Sequence, residues 1–314
     1  MTQGNVRLRI GTRGSPLALW QAREVRARIL AAHGWPEEAV ELVVIKTSGD
    51  MIQDRALAQA GGKGLFTKEI DAAMLAGEIH LAVHSAKDLP TFFPEGIAIA
   101  GYLPREDVRD ALISAGARSI EDLPRNAVVG TASLRRGALV KRLRPDVTTT
   151  LLRGNVETRL RKTQEGEIHA TLLAIAGLKR LGLADRAAAV LDLDAFPPAV
   201  GQGAIAVTAR GGDAAALEAF AAVSCAETAV ALSAERAFLA VLDGSCKTPI
   251  AGHAVVEGGM VRFRGMLLRE DGSETFEAAR VGAVADAAGL GAEAAHDIVG
   301  RAPADILAHD AGPR

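Results

Sequence analysis

A chain of 314 residues is long enough for two or three domains of about 100–150 residues each. With 49% hydrophobic but only 4% aromatic residues, its interior must be packed mainly by Ala, Val, Leu and Ile, which suits helices laid on parallel strands. Lysine plus arginine number 36 against 38 acidic residues, so no overall field draws nucleic acid or an anionic membrane, and any anion site must be local.

Met1 to Ile10 holds no apolar signal core, and no later run approaches the ~20 apolar residues that span a bilayer, so a cytoplasmic protein is expected. Val6 to Ile10 reads as a strand entering Gly11-Thr12-Arg13-Gly14-Ser15-Pro16. A helix over Leu17 to Ala32 follows: Ser15 is its N-cap, Pro16 takes the first helical position and Gly34 supplies the stop. Unpaired N–H groups at such a start, with Arg13 beside them, suit an anion. Val40 to Thr47 is a second strand. Gly61-Gly62-Lys63-Gly64 invites a phosphate-loop reading, but Gly64 stands where Ser or Thr is needed. A flexible basic loop around Lys63 is expected instead, able to close over a ligand and entering a helix marked by Phe66, Ile70 and Met74.

Ile79 to Pro90 is the most informative stretch. It opens as the short apolar run of a buried parallel strand and ends in Ser85-Ala86-Lys87-Asp88, with Pro90 forbidding continuation. Carboxyl ends of strands in open α/β sheets face the ligand crevice, which would aim Ser85, Lys87 and Asp88 at a bound molecule. The bland alternative is a strand followed by a polar turn. Gly96 to Ala100 is a further strand, and the charged segment Arg105 to Asp110 is the first crossing between domains.

The pattern then begins again. Ala127 to Arg136 repeats a short apolar strand, Gly-Thr, a serine, arginine and a helix running toward Leu143, which predicts two lobes of one design facing each other across a cleft. Thr148 to Leu152 ends in Arg153-Gly154-Asn155, the next helix carries Arg159, and the strand His169 to Ile175 leads to Ala176-Gly177-Leu178-Lys179-Arg180. Any one of these arginines reads as a solvated surface residue. Arg135, Arg136, Arg153, Arg159 and Arg180 recurring at strand ends or first helical turns suggest a ligand with several carboxylates or phosphates, each matched by a guanidinium fork.

Gly201-Gln202-Gly203-Ala204-Ile205-Ala206 fits a dinucleotide fingerprint only by chance, since prolines precede it and a strand, Ala204 to Ala209, follows; it reads as the chain crossing back. From Asp213 an alanine-rich helical pattern runs to Leu239 and places Cys225 on a helix as inert core. Cys246 lies in a loop of small residues next to Lys247, where a thiol is reachable and its thiolate favoured. Two cysteines are too few for a secreted disulfide framework. Strands over Ile250–Glu257, Met260–Arg269 and Thr275–Val281 and closing helices complete a small α+β domain. His80 and His84 lack the helical setting and intervening Glu of a zinc pair, and no metal is expected.

Taken together, Gly-Thr-Arg-Gly-Ser-Pro-Leu-Ala-Leu, Gly-Gly-Lys-Gly-Leu-Phe, His-Ser-Ala-Lys-Asp-Leu-Pro, Gly-Thr-Ala-Ser-Leu-Arg-Arg, Leu-Arg-Gly-Asn-Val, Ala-Val-Gly-Gln-Gly-Ala and Gly-Ser-Cys-Lys-Thr-Pro-Ile occur in one order. In that order they resemble the porphobilinogen deaminase (hydroxymethylbilane synthase) family along essentially the whole chain. The resemblance implies an α/β fold: two periplasmic-binding-protein-like lobes with mixed, mostly parallel sheets, plus a small α+β C-terminal domain. The expected boundaries are 1–103 with 202–221, 104–201, and 222–314. It also implies a dipyrromethane cofactor held by Cys246 through a thioether, and condensation of four porphobilinogen molecules head to tail with release of ammonia. Asp88 matches the catalytic aspartate, offsetting positive charge near the ring nitrogens and assisting proton transfer. Ser85, Lys87, Asp88, Thr131, Ser133, Arg135 and Arg136 are implied as cofactor contacts, and Arg13, Arg153, Arg159, Arg180 and Lys63 as substrate contacts. Departures are Ser245, where a second glycine is common, Lys247 after the cysteine, and Ala209 in place of a frequent cysteine.

The expected partner is thus a small molecule, porphobilinogen, with no nucleic acid or membrane, and a monomer is expected. A non-catalytic two-lobed module clamping a polyanion is the alternative, although it leaves Cys246 and the third domain without a task. A thiol-dependent hydrolase is a further class.

Overall fold

The computed structural model describes residues 6–51, 64–242 and 248–307, and the elements below are those of the described residues. The chain opens with β1 (Leu8–Thr12), α1 (Pro16–His33), β2 (Val40–Val44), α2 (Ser48–Met51) and α3 (Lys68–Leu75). It continues through β3 (Leu81–Ser85), β4 (Ile97–Tyr102), β5 (Asp110–Ser114), β6 (Val128–Gly130) and α4 (Leu134–Leu143). Next come β7 (Thr148–Thr150), α5 (Val156–Gln164), β8 (Ala170–Ala174), α6 (Ile175–Arg180), β9 (Ala189–Val190) and β10 (Ile205–Arg210). Last are α7 (Ala214–Ala221), α8 (Ala226–Val241), β11 (Ile250–Glu257), β12 (Met260–Leu268), β13 (Thr275–Ala283), α9 (Ala287–Arg301) and α10 (Ala304–Leu307).

Two compact units result. One holds residues 6–51, 64–106 and 204–229; the other holds 107–203, 230–242 and 248–307. The first unit is built on a five-stranded sheet ordered β2-β1-β3-β10-β4, in which β2, β1 and β3 are parallel and β10 runs antiparallel to both its neighbours. The second unit repeats this design as β7-β6-β8-β5-β9, with β5 as the reversed strand. Four strands of each sheet therefore point one way, which is the mixed, mostly parallel arrangement expected. Each reversed strand is the first one after the chain changes unit, between Glu106 and Asp107 or between Gly203 and Ala204.

Local chemistry accounts for the first strand-turn-helix. Ser15 Oγ accepts the Ala18 N–H at 3.3 Å, Pro16 occupies the first helical position, and Gly34 ends α1 in the left-handed region at φ 60°. The helix buries Gln21, Ala22, Val25 and Ile29, one face at helical spacing, against Ile10, Leu81, Val83, Ile205 and Val207 of the sheet. In the second unit Leu112, Val129, Ala170 and Leu172 of the sheet share a core with Ala138, Leu139, Ala251, Met266 and Leu268.

The C-terminal antiparallel sheet β11-β12-β13 is covered by α9. Aliphatic packing dominates as composition requires, yet Phe196, Phe220, Phe238 and Phe263 are all buried, with the Phe238 and Phe263 rings tilted against each other at 5.0 Å between ring centres. The helices α8 and α9 approach so closely that a methyl group at Gly291 would lie 1.9 Å from the carbonyl oxygen of Ala234. Gly291→Ala is therefore expected to force the two helices apart and cost about 1–3 kcal/mol, read as a lower midpoint in thermal melts. Unchanged melting would show that the helices separate freely.

Three local readings are corrected. Phe66 precedes α3 instead of marking its face, because the helix begins only at Lys68, after Thr67 at the N-cap position. Cys225 lies just before α8, half-exposed, with its N–H on Tyr102 O at 2.7 Å, and is not helical core. Arg180 closes α6 instead of opening a helix, since that helix is only six residues long. No single described helix is long and apolar enough to cross a membrane.

Candidate functional site

The carboxyl edge of the first sheet gathers the end of β1, the end of β3 and the start of β10. Beyond Ser85 the chain makes one 3-10 turn over Ala86–Asp88. Ala86 is buried and its N–H reaches Ala204 O at 3.0 Å; Leu89 is buried too, with its N–H on Ala86 O at 3.2 Å. With both flanks anchored, Lys87 is held half-buried and Asp88 exposed at the sheet edge. The Ser85 hydroxyl meets the amide of Gln21, with Nε2 to Oγ at 3.0 Å and Oγ to Oε1 at 3.3 Å. Gln21 is only 1% exposed, a buried amide that helical periodicity does not distinguish from an apolar position.

Arg13 follows β1 and forms a fork with Asp50, donating from Nε at 3.1 and 3.2 Å and from Nη2. Its guanidinium also lies 4.1 Å from the centre of the Phe66 ring. Burial pushes the Asp50 carboxyl up, but hydrogen bonds from Arg13 and Thr47 outweigh it and hold the group below its ordinary value. Arg13, read from sequence as a substrate contact, thus carries a protein carboxylate.

His84, on β3, is buried with Nε2 3.2 Å from Thr208 Oγ1. Burial, with the nearby positive charge of Arg13, pushes it down from 6.5 to about 4. The folded state therefore refuses a proton that the unfolded chain accepts. Stability is unaffected above the unfolded value and falls as pH drops toward 4. Over that window the loss reaches about 3 kcal/mol. His80, also lowered chiefly by burial, adds a contribution of the same sign. In thermal melts at stepped pH, His84→Gln is expected to flatten this acid limb; an unchanged slope would assign it to other groups.

The carboxyl edge of the second sheet is more heavily charged. Thr131 follows β6, and its Oγ1 accepts the Ser133 N–H at 3.1 Å; Ser133 in turn caps α4 by accepting the Arg136 N–H at 3.4 Å. Arg135 and Arg136 occupy the first turn of α4 and are only 4% and 6% exposed. Both reach Asp110, fully buried at the head of β5: Arg135 Nη2 to Oδ2 at 2.7 Å, and Arg136 Nη2 and Nε to Oδ1 at 2.6 and 3.1 Å. Arg135 Nη1 also donates to Pro197 O and Arg136 Nη1 to Leu172 O, at 2.6 and 2.9 Å. Gln202 Nε2 donates to Val108 O at 2.7 Å and to Asp110 Oδ1 at 3.1 Å. Burial lowers the Arg135 guanidinium from its ordinary value; Asp110 opposes this and Arg136 adds to it. Among the described residues, the buried Arg135 Nε has no hydrogen-bond partner.

Arg153 lies half-buried after β7. Asn155 caps α5 by accepting the Thr158 N–H at 2.9 Å, and Arg159 Nε donates to Gly154 O at 3.1 Å. Arg180 Nη2 donates to Gly203 O at 2.6 Å. Lys63 and Cys246 lie outside the described residues. Asp50, Asp110, Gln21 and Gln202 are the participants that sequence reading missed. An acid heading the apolar run Ala111-Leu112-Ile113 was the available signal for Asp110, and a polar residue between two left-handed glycines, Gly201 and Gly203 at φ 75° and 85°, the one for Gln202. Among the described residues, no group of three or more His, Cys, Asp or Glu side chains could hold a metal ion.

Two family models match the chain. One, described as "Porphobilinogen deaminase, dipyromethane cofactor binding domain", covers residues 8–218. The other, "Porphobilinogen deaminase, C-terminal domain", covers residues 229–300. A porphobilinogen deaminase from Nitrobacter hamburgensis is 58% identical over 293 residues, 93% of each chain. Another from Paracoccus denitrificans is 54% identical over 300 residues, 96% of each chain. Among solved structures, an ABC transporter periplasmic substrate-binding protein from Coxiella burnetii aligns with a TM-score of 0.43 at 13% identity, covering 71% of this chain and 94% of that one. A nutrient binding protein from Burkholderia cenocepacia bound to methionine aligns with a TM-score of 0.42 at 13% identity, covering 70% and 93%.

Proposed function

The chain belongs to the porphobilinogen deaminase family, and on that premise we propose how its residues divide the work of the reaction. The enzyme is a transferase that condenses porphobilinogen head to tail, releasing ammonia, on a dipyrromethane cofactor, in porphyrin biosynthesis. Bound dipyrromethane supplies the pyrrole carbon from which the chain grows, and carries carboxylate arms.

The residues present fit such a group. Three buried side chains at the second sheet edge, Arg135, Arg136 and Asp110, carry two positive charges against one negative, and the Arg135 Nε–H has no acceptor among the described residues. A desolvated excess of positive charge with an unused donor calls for an anion. This observation carries the reading. Arg135 and Arg136, with Thr131 and Ser133, hold carboxylate arms of the cofactor, and Ser85 and Lys87 contribute from the first sheet edge. Asp88, exposed on its anchored turn, presents a carboxylate that offsets positive charge at pyrrole nitrogens and takes or returns a proton at its Oδ atoms. Arg13, Lys63, Arg153, Arg159 and Arg180 bind acetate and propionate arms of substrate and product. Cys246 is the attachment point, its sulfur holding the cofactor as a thioether.

We assign three domains, 1–103 with 202–221, 104–201 and 222–314; the separate matches over 8–218 and 229–300 support setting the last apart. A cytoplasmic monomer acting on a small molecule, independent of nucleic acid and membrane, is the accompanying reading, supported by the near balance of charge. The purified protein is expected to have an intact mass above the sequence mass by two condensed pyrrole units, and to colour with an aldehyde reagent for pyrroles. Active enzyme of bare sequence mass would overturn the reading, and reversible anion binding without ammonia release would favour the two-lobed binding module.

A further inference from the structure

We propose that Asp110 is a positioning residue: it sets the directions in which Arg135 and Arg136 offer their remaining N–H groups, and so determines how firmly the cofactor is taken up. The inference rests on the reading that these two arginines hold the cofactor.

The carboxylate is itself immobile. Asp110 pairs in register with Ala174 of β8, and its carbonyl accepts the Leu191 N–H at 2.8 Å, so the backbone is tied on both sides. Its Oδ1 accepts Arg136 Nε and Nη2 and Gln202 Nε2, while Oδ2 accepts Arg135 Nη2. Gln202 also holds Val108 O, two residues upstream, which locks the rotation of the carboxylate against its own strand. Each guanidinium is thereby held on two edges, by Asp110 on one and by a backbone carbonyl, Pro197 O or Leu172 O, on the other.

Two fixed edges define the plane of a rigid fork, and the N–H groups left over then point in set directions. The same arrangement sets the charge. One carboxylate between two buried guanidinia suppresses their repulsion without neutralising the pair, leaving one positive charge for an anion. Without Asp110 each arginine would keep only a carbonyl contact, and repulsion would turn the forks apart. A longer acid would keep the charge and move the anchor by about 1.5 Å, beyond the ~0.5 Å tolerance of a preorganised site.

The test uses full-length wild type, Asp110→Glu and Gln202→Met, each purified and checked by thermal melting. The loaded fraction is read from intact mass, and KM and kcat for porphobilinogen are measured on loaded protein. Asp110→Glu is expected to melt within a few degrees of wild type yet show a loaded fraction lower by about tenfold, with KM raised more than kcat is lowered. Gln202→Met, which frees the carboxylate without touching its charge, is expected to lower loading by about threefold and decides the matter should Asp110→Glu fail to fold. Wild-type loading and KM in folded Asp110→Glu, or wild-type loading in Gln202→Met when that variant decides, would overturn the positioning role. Wild type carrying no added mass would instead overturn the reading beneath it.

Discussion

Asp88→Asn is expected to leave the attached cofactor and the binding of pyrrole carboxylates in place while lowering kcat by about 10²–10⁴-fold. The side chain stands exposed on a turn whose hold on the protein comes from Ala86 and Leu89, so an isosteric amide leaves the fold undisturbed. What it removes is a negative charge at the sheet edge and a proton acceptor. The arginines and lysine proposed to bind the carboxylate arms remain, so the loss is expected to fall on kcat and spare KM. Steady-state turnover beside intact mass checks this: a normal cofactor adduct with crippled turnover is the expected pair. Near-normal turnover would remove Asp88 from its role.

Cys246→Ser is expected to abolish both the pyrrole mass and all measurable synthesis. A serine hydroxyl is a far weaker nucleophile than a thiolate, so the thioether has no effective substitute. Cys225 is the natural control, half-exposed before α8 with its backbone tied to Tyr102. Cys225→Ser is expected to keep the adduct and the activity. If the adduct survives Cys246→Ser and disappears in Cys225→Ser, the attachment belongs to Cys225.

Both of these residues were named from sequence, and the reasons differ from those that hid their surroundings. Strand-turn-helix units were legible because their signals are local: Ser15, Pro16 and Gly34 specify α1 within the segment itself, and Gly130-Thr131-Ala132-Ser133 specifies the start of α4 in the same way. β5 was not legible. Asp110 sits at the end of a charged segment and reads as part of a crossing, whereas its partners Arg135 and Arg136 stand 25 and 26 residues later. Burial of two adjacent arginines runs against the expectation for any single charged residue and becomes intelligible only once the carboxylate between them is known. The pairing of Arg13 with Asp50 is likewise tertiary, spanning 37 residues. The reversed direction of β5 and β10 depends on where the chain re-enters each unit, which periodicity does not encode.

That reversed β10 has a consequence for the birth of the enzyme on the ribosome. It fills the gap between β3 and β4, which are not bonded to each other, yet it is synthesised about one hundred residues after them. The five strands of the other sheet, by contrast, form one uninterrupted stretch of the nascent chain and emerge complete before it. The sheet that bears the buried arginines is thus complete in the nascent chain first, although Ala251, Met266 and Leu268 of its core follow later, while the turn of Asp88 waits for Ala204 to arrive from the far side of the message. An early stop in translation before β10 would leave Asp88 on a turn whose Ala86 N–H lacks its Ala204 acceptor.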